Sequence, residues 1–234
     1  MDKQSVRERV WDALEASGDA RFPFPPQGRI PNFAGAEAAA ERLAATDAWA
    51  RADAIKANPD SPQRPVRKRA LAAGKVVYMA VPRLRDADAF RRLDPAEIDD
   101  IDHATTLSGS EELGDQVGPE AVDGIDLVVS GSVAVTDDGA RIGKGEGYSD
   151  LEYAVLTELG LVDQGTPVAT TVHELQVVED ELPTAAHDVP MDLVVTPART
   201  VETGATGGPD GIDWDLLDEA RIAEIPVLEQ LRNQ

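Results

Sequence analysis

The stretch that decides the fold runs from Leu127 to Leu159. It opens with an apolar run, Leu127-Val128-Val129-Ser130-Gly131-Ser132-Val133-Ala134-Val135, and turns through Asp137-Asp138-Gly139. It then reaches Arg141-Ile142-Gly143-Lys144-Gly145-Glu146-Gly147-Tyr148-Ser149-Asp150, after which Leu151, Val155, Leu156 and Leu159 recur at helical spacing. The pattern predicts a buried strand over 127–135, a glycine loop and an amphipathic helix over 149–159. Glycines at 143, 145 and 147 let backbone amides approach an anion, and a helix N-terminus adds the positive end of its dipole. Arg141 and Lys144 bring charge, and Asp150 offers a hard oxygen ligand for a divalent cation. Together these residues read as a phosphate cradle. The loop is not a P-loop, because Gly145 rather than Ser or Thr follows Lys144, and not a dinucleotide fingerprint, because Tyr148 stands where the third glycine belongs. On composition alone, a glycine-rich turn with solvated charges competes with the cradle.

Outward from this loop, Val-rich runs alternate with helical segments. Strands are predicted over 53–57, 76–81, 167–172 and 192–196, and helices over 2–16, 35–51 and 64–73. A polar stretch over 83–125 is read as holding helical pieces. Continuous apolar strands between helices indicate a mostly parallel sheet covered on both faces, an α/β/α sandwich. Residues 18–34 form a Pro-rich loop whose Phe22, Phe24 and Phe33 are expected to pack down, and Asn58-Pro59-Asp60-Ser61-Pro62 reads as a turn. Gly204 to Gly211 reads as a flexible linker. The division is one domain over 1–203, a linker over 204–212 and a helical extension over 213–234.

On the first helix Val6, Val10 and Leu14 form one stripe, and Lys3 and Arg7 fall on that stripe rather than opposite it. Two cations four residues apart repel unless they share an anion; the alternative is that both run their stems along apolar surface. The chain of 234 residues carries 44 acidic and 22 basic residues, a net charge of −22, with 5 lysines against 17 arginines. This balance disfavours nucleic-acid binding and points to a salt-adapted cytosol. There is no cysteine, so disulfides, thiolate zinc sites and Cys nucleophiles are excluded. No i, i+4 pair exists among His103, His173 and His187, and Ser130-Gly131-Ser132 lacks the leading glycine of a nucleophile elbow. His187-Asp188 reads as a turn pair. No apolar run approaches a membrane span and Met1–Ser5 is polar, so a soluble, cytoplasmic protein without a signal peptide is expected.

In order, these motifs resemble the 5-formyltetrahydrofolate cyclo-ligase (methenyltetrahydrofolate synthetase) family. That family's Gly-x-Arg-Leu-Gly-x-Gly-x-Gly-Tyr-Tyr-Asp loop is similar to Gly139 through Asp150, with Ser149 in place of the second Tyr. Lys3 and Arg7 fit its opening Lys-x-x-x-Arg, and Gln176, Leu182-Pro183, His187-Asp188 and Thr196 occupy its later positions. Arg29-Ile30-Pro31-Asn32-Phe33 and Asp150-Leu151-Glu152-Tyr153 are similar to a branch of it, the methenyltetrahydrofolate synthetase domain-containing proteins. The sequence departs from the enzymes at Gly131, where they carry Pro, and at Leu151, where they carry Arg. The resemblance implies a three-layer fold and ATP- and Mg²⁺-dependent conversion of 5-formyltetrahydrofolate to 5,10-methenyltetrahydrofolate. It implies Lys3, Arg7, Arg141 and Lys144 on the ATP phosphates, with Gly143, Gly145 and Gly147 supplying amides. It further implies Asp150 on Mg²⁺, Tyr148 beside the nucleotide or pterin, and a reduced folate as the small-molecule partner. A non-folate substrate on the same scaffold, such as a thiamin-related one, and a nucleotide-binding module without turnover stay open.

Overall fold

The structure, a computed structural model, describes residues 2–233; Met1 and Gln234, the outer ends of the expected domain and extension, lie outside the described residues. The chain starts with α1 (Lys3–Ser17), the two-residue strands β1 (Ala20–Arg21) and β2 (Asn32–Phe33), α2 (Ala36–Ala44) and α3 (Asp47–Arg51). Then come β3 (Ala54–Ala57), α4 (Arg64–Ala72), β4 (Val76–Ala80), β5 (Phe90–Leu93), α5 (Ile101–Ala104), α6 (Leu107–Leu113) and β6 (Asp115–Val117). The second half holds β7 (Leu127–Val129), β8 (Ala134–Val135), β9 (Arg141–Ile142), α7 (Tyr148–Glu158), β10 (Val168–Thr171), β11 (Leu193–Val195) and β12 (Thr200–Glu202). It ends with α8 (Glu219–Glu224) and α9 (Pro226–Arg232).

Eight strands form one sheet in the order β12-β11-β10-β7-β3-β4-β5-β6. The central β11, β10, β7, β3 and β4 are parallel, and the outer strands are antiparallel. Side chains alternate between the two faces along each strand. Ile55, Ala57, Val77, Met79, Leu127 and Val129 pack under α2, α3 and α4. Tyr78, Ala80, Val128, Val168 and Val194 face the other way, onto Tyr153, Val155 and Leu156 of α7 and Ile222, Ile225, Val227 and Leu228 of the C-terminal segment. This is the three-layer α/β/α sandwich. A third apolar cluster, built on Val6, Val10, Trp11 and Leu14 of α1, closes one end. Among the described residues no helix is long and apolar enough to cross a membrane.

Four expectations need correction. The strand read over 127–135 breaks: β7 stays in the sheet, whereas Ala134 and Val135 pair with Ile142 and Arg141 in a separate hairpin. Ser130 N–H still donates to the Ala169 carbonyl of β10 at 2.9 Å, but Gly131-Ser132 leaves the ladder, and the Gln176 side-chain amide donates to the Ser132 carbonyl at 2.8 Å in place of a neighbouring strand. The helix read over 35–51 is two, because the Thr46 hydroxyl accepts from Trp49 N–H at 3.2 Å and starts α3. The stretch over 83–125 holds β5 and β6 besides helices; Arg91 and Arg92, in β5 next to the edge strand β6, hide the alternation. Of the phenylalanines in the Pro-rich loop only Phe33 is buried, and Phe22 and Phe24 are 78% and 57% exposed.

The residues read as linker and extension lie against the same core. Ile212, Ile222, Ile225, Val227 and Leu228 are buried with the residues of α7, and Gly208 meets the Tyr153 ring.

Candidate functional site

Strand order reverses between β3 and β7, and open α/β sheets gather ligands at the carboxyl ends of strands beside such a reversal. A cavity of about 420 Å³ lies there. Its walls are Asn58–Ser61 after β3, Ala80–Arg83 after β4, Gly131 after β7, part of the Pro-rich loop, and the glycine loop running into α7. The lining carries Arg29, Arg83, Arg141 and Lys144 against Asp60, Glu146, Asp150 and Glu152. Cations thus match acids at this site, whereas acids outnumber cations two to one in the chain, so the cavity is the more favourable place for an anion.

The glycine loop is built by backbone demand. Gly145 (φ +105°) and Gly147 (φ +70°) sit in the left-handed region, and Gly147 starts α7 without a side-chain cap. The first amides of α7 are therefore open to a ligand. Arg141 is held in β9 with its side chain 2% exposed. Its Nη2 donates to Asp150 Oδ1 and its Nη1 to the Gly131 carbonyl at 3.3 Å, while its buried Nε has no partner. Arg67 and Arg69 also leave Nε unpaired, but neither lines the cavity. Asp150 Oδ1 accepts a second bond, from Val189 N–H at 3.1 Å. Lys144 pairs with Glu146 at 2.9 Å, and Arg83 approaches Glu146 at 3.6 Å. The Lys144 hydrogen bond, with help from Arg83, holds the Glu146 carboxyl below its ordinary range.

Arg141, Gly143, Lys144, Gly147, Tyr148 and Asp150 all line the cavity; Lys3, Arg7 and Gly145 do not. Arg7 instead supports the loop from behind: its Nε donates to the Gly143 carbonyl at 2.7 Å and its guanidinium lies against Gly145. Lys3 Nζ pairs with Asp188 Oδ2 at 2.7 Å. Asp188, read as part of a turn, also accepts from Ala185 N–H at 2.8 Å. Both cations thus leave the stripe of α1 for polar partners on the glycine-loop side of the molecule.

A second wall, at the end of β3, lies outside the sequence reading. Lys56, on β3 between the buried Ile55 and Ala57, points to the α7 face and meets Glu152 Oε2 at 2.5 Å, with side-chain exposures of 1% and 8%. Lys56 also donates to Asn58 Oδ1 at 2.9 Å, and Ser149 Oγ links Asn58 Nδ2 to Ser130 Oγ at 3.4 Å each. The buried Arg67 fixes the following turn by donating to the carbonyls of Asn58 (2.5 Å), Asp60 (3.1 Å) and Pro59 (3.2 Å), and burial pulls its guanidinium down to about 10. Burial also raises the Asp60 carboxyl above its ordinary value, with Glu152 adding to the rise and Lys144 opposing it. The signal was present in the sequence: a lysine inside an apolar strand, and Glu152 one helical turn before Leu156 on the buried stripe of α7. The departure at Gly131 has a steric counterpart, since a Cβ there would meet Ile30 Cγ2 at 2.9 Å.

Residues 1–197 match the model of the 5-formyltetrahydrofolate cyclo-ligase family. The mouse methenyltetrahydrofolate synthase domain-containing protein is 43% identical over 239 residues, covering 100% of this chain and 64% of the mouse protein. Its human counterpart is 39% identical over 238 residues, covering 99% and 62%. The chain therefore spans less than two thirds of the length of these relatives. Among solved structures, the 5,10-methenyltetrahydrofolate synthetase of Aquifex aeolicus shares the fold, with a TM-score of 0.54 at 18% identity over 88% of this chain and 94% of that one. On the match over 1–197 and the identity to these relatives, the chain belongs to the 5-formyltetrahydrofolate cyclo-ligase family.

Proposed function

We propose that this chain binds ATP in the cavity and uses it to close 5-formyltetrahydrofolate to 5,10-methenyltetrahydrofolate, releasing ADP and phosphate. The observation that carries the reading is the buried, unpartnered Nε of Arg141 on the wall of a glycine loop. A buried donor without an acceptor costs stability, and a phosphate oxygen supplies that acceptor. The uncapped amides of α7, Lys144 and the N-terminal end of the α7 dipole act on the same charge. In the reaction the formyl oxygen attacks the γ-phosphorus and ADP leaves; N10 then closes on the activated carbon and phosphate departs. Such transfer asks the protein for positioning and for cations facing developing charge.

The donor set also fits a hard cation held jointly with phosphates. Among the described residues there is no group of three His, Asp or Glu for a metal. Mg²⁺ does not require one, because it keeps waters and takes one or two carboxylates plus phosphate oxygens. Asp150 is the residue that would hold it. When bound, the ion neutralises charge on the phosphates. Asp60, raised and at the cavity wall, is a candidate acceptor for the N–H edge of a pterin. A second reading, a non-folate substrate, is favoured by the polar wall of Asn58, Ser149 and the Lys56–Glu152 pair.

The test is turnover of 5-formyltetrahydrofolate in molar KCl, followed by methenyl absorbance with and without MgATP. Product that appears only with MgATP is expected. ATP binding without product would move the substrate to the second reading, and no ATP binding would remove the phosphate site.

A further inference from the structure

The residues after 197 lie beyond the span of the family match, yet the mouse relative aligns with the whole of this chain. They bring one side chain to the cavity wall. Arg221 lies over the Tyr148 ring, its guanidinium carbon 4.0 Å from the ring centroid, and its Nη1 donates to Tyr148 Oη at 2.6 Å. Its Nη2 reaches the Glu146 carbonyl at 3.5 Å. One guanidinium therefore touches the face of a cavity-lining ring, the hydroxyl of that ring and the backbone of the glycine loop.

Arg221 is aimed from the core rather than from the site. Asp218 caps α8 by accepting from Arg221 N–H at 2.7 Å, and the next residue, Ile222, is buried with Ile225, Val227 and Leu228 against α7. The segment is tied to the β4–β5 connection as well, through Glu224 and Arg85 at 3.7 Å. Tyr148 is the first residue of α7 and follows a glycine without a side chain of its own, so its neighbours in sequence restrain its ring little. The stacked cation fixes the plane of the ring and the hydrogen bond fixes its direction.

We propose that Arg221 is a positioning residue for Tyr148 and the end of the glycine loop, so that the C-terminal segment completes the cavity. This role rests on reading the cavity as a nucleotide site. It adds to that reading a residue supplied from outside the span matched by the family.

The test uses the full chain with Arg221→Ala, Arg221→Lys and Tyr148→Phe. Amide hydrogen exchange without ligand should speed up at the first bonded amides of α7, beginning with Leu151, whose N–H closes on the Gly147 carbonyl of the loop at 3.1 Å, by about tenfold in Arg221→Ala, the worth of one cation–π contact and one hydrogen bond, while β7 and β11 stay protected. The dissociation constant for MgATP should rise by about the same factor. Arg221→Lys keeps the stem and the cation but not the planar fork, so it should fall between, and it serves in place of Arg221→Ala should that variant not fold. Tyr148→Phe added to Arg221→Ala should change the loop little further, since the bond it removes is already lost. A melting temperature that falls while loop exchange and MgATP affinity stay as in the parent would overturn the role. If the parent itself binds no MgATP, the nucleotide reading fails and loop exchange still decides whether Arg221 positions Tyr148.

Discussion

Two walls of one cavity hold buried ion pairs, and they are finished differently. On the glycine-loop wall, Arg141 pairs with Asp150 and keeps a buried Nε with no acceptor. On the β3 wall, Lys56 finds Glu152 and Asn58 within the protein. The pair that leaves a donor over is the one on which the proposed ATP site rests, and the pair closed on itself holds the wall. Burial alone does not distinguish the two, since the lysine and the arginine are almost equally hidden. What separates them is the satisfaction of each polar atom.

The largest expected effect tests the closed wall. Lys56→Met leaves the buried Glu152 without its cation, a change that costs about 3–5 kcal/mol. Replacing both, Lys56→Met with Glu152→Leu, should recover most of that loss, because the desolvation of both charges is removed together. On the other wall Arg141→Met should cost less stability, since Asp150 keeps Val189 N–H and some contact with solvent, yet it should abolish MgATP binding. Denaturant midpoints and calorimetry on the three proteins read both quantities. If Lys56→Met also abolished MgATP binding without loss of stability, the two walls would not differ as argued.

The same contrast explains how much was legible. The glycine-loop wall could be read because its residues are contiguous and their spacing is dictated by backbone chemistry from Gly143 to Asp150. The parallel strands were readable because they are buried on both faces and continuously apolar. The β3 wall joins Lys56, Asn58 and Glu152 across a long sequence separation, and only the α7 crossover over the sheet brings them together. Arg221 was invisible for the same reason. Lys3 and Arg7 could be read from their stripe on α1, but not that Arg7 turns to the back of the loop and Lys3 to Asp188, a choice made by tertiary packing. Strands β5 and β6 escaped because Arg91 and Arg92 interrupt the apolar period of β5 and the edge strand β6 is polar.

Asp60 gives a smaller, pH-dependent test of the β3 wall. Burial raises its carboxyl above the unfolded value of 3.8. Below that value it is protonated in both states and its contribution to stability is complete. As pH rises through the folded value, the fold must ionise a desolvated carboxyl and stability falls. Asp60→Asn removes this ionisation, so relative to the parent the variant should gain stability across the range from acid to neutral pH. Urea midpoints across that range measure the gain. A difference that stays constant with pH would place the Asp60 carboxyl in contact with solvent rather than in the wall.

The smallest effect concerns how open the glycine-loop wall is. Glu146 sets its carboxylate against Lys144 at 2.9 Å and Arg83 at 3.6 Å, two cations that line the cavity. An arriving phosphate must displace this internal counter-ion or share the cations with it. Both partners are well exposed, so each pairing is worth little, at most about 1 kcal/mol. Glu146→Gln keeps the shape and the hydrogen-bonding oxygen and removes the charge. MgATP should bind about threefold more tightly to the variant at low salt, and the gain should shrink in molar KCl as ions screen the site. Stability should barely move, in contrast to Lys56→Met, because no charge is left buried without a partner. Weaker binding in Glu146→Gln would mean that the carboxylate takes part in holding the ligand, and the loop wall would then be as closed on itself as the β3 wall.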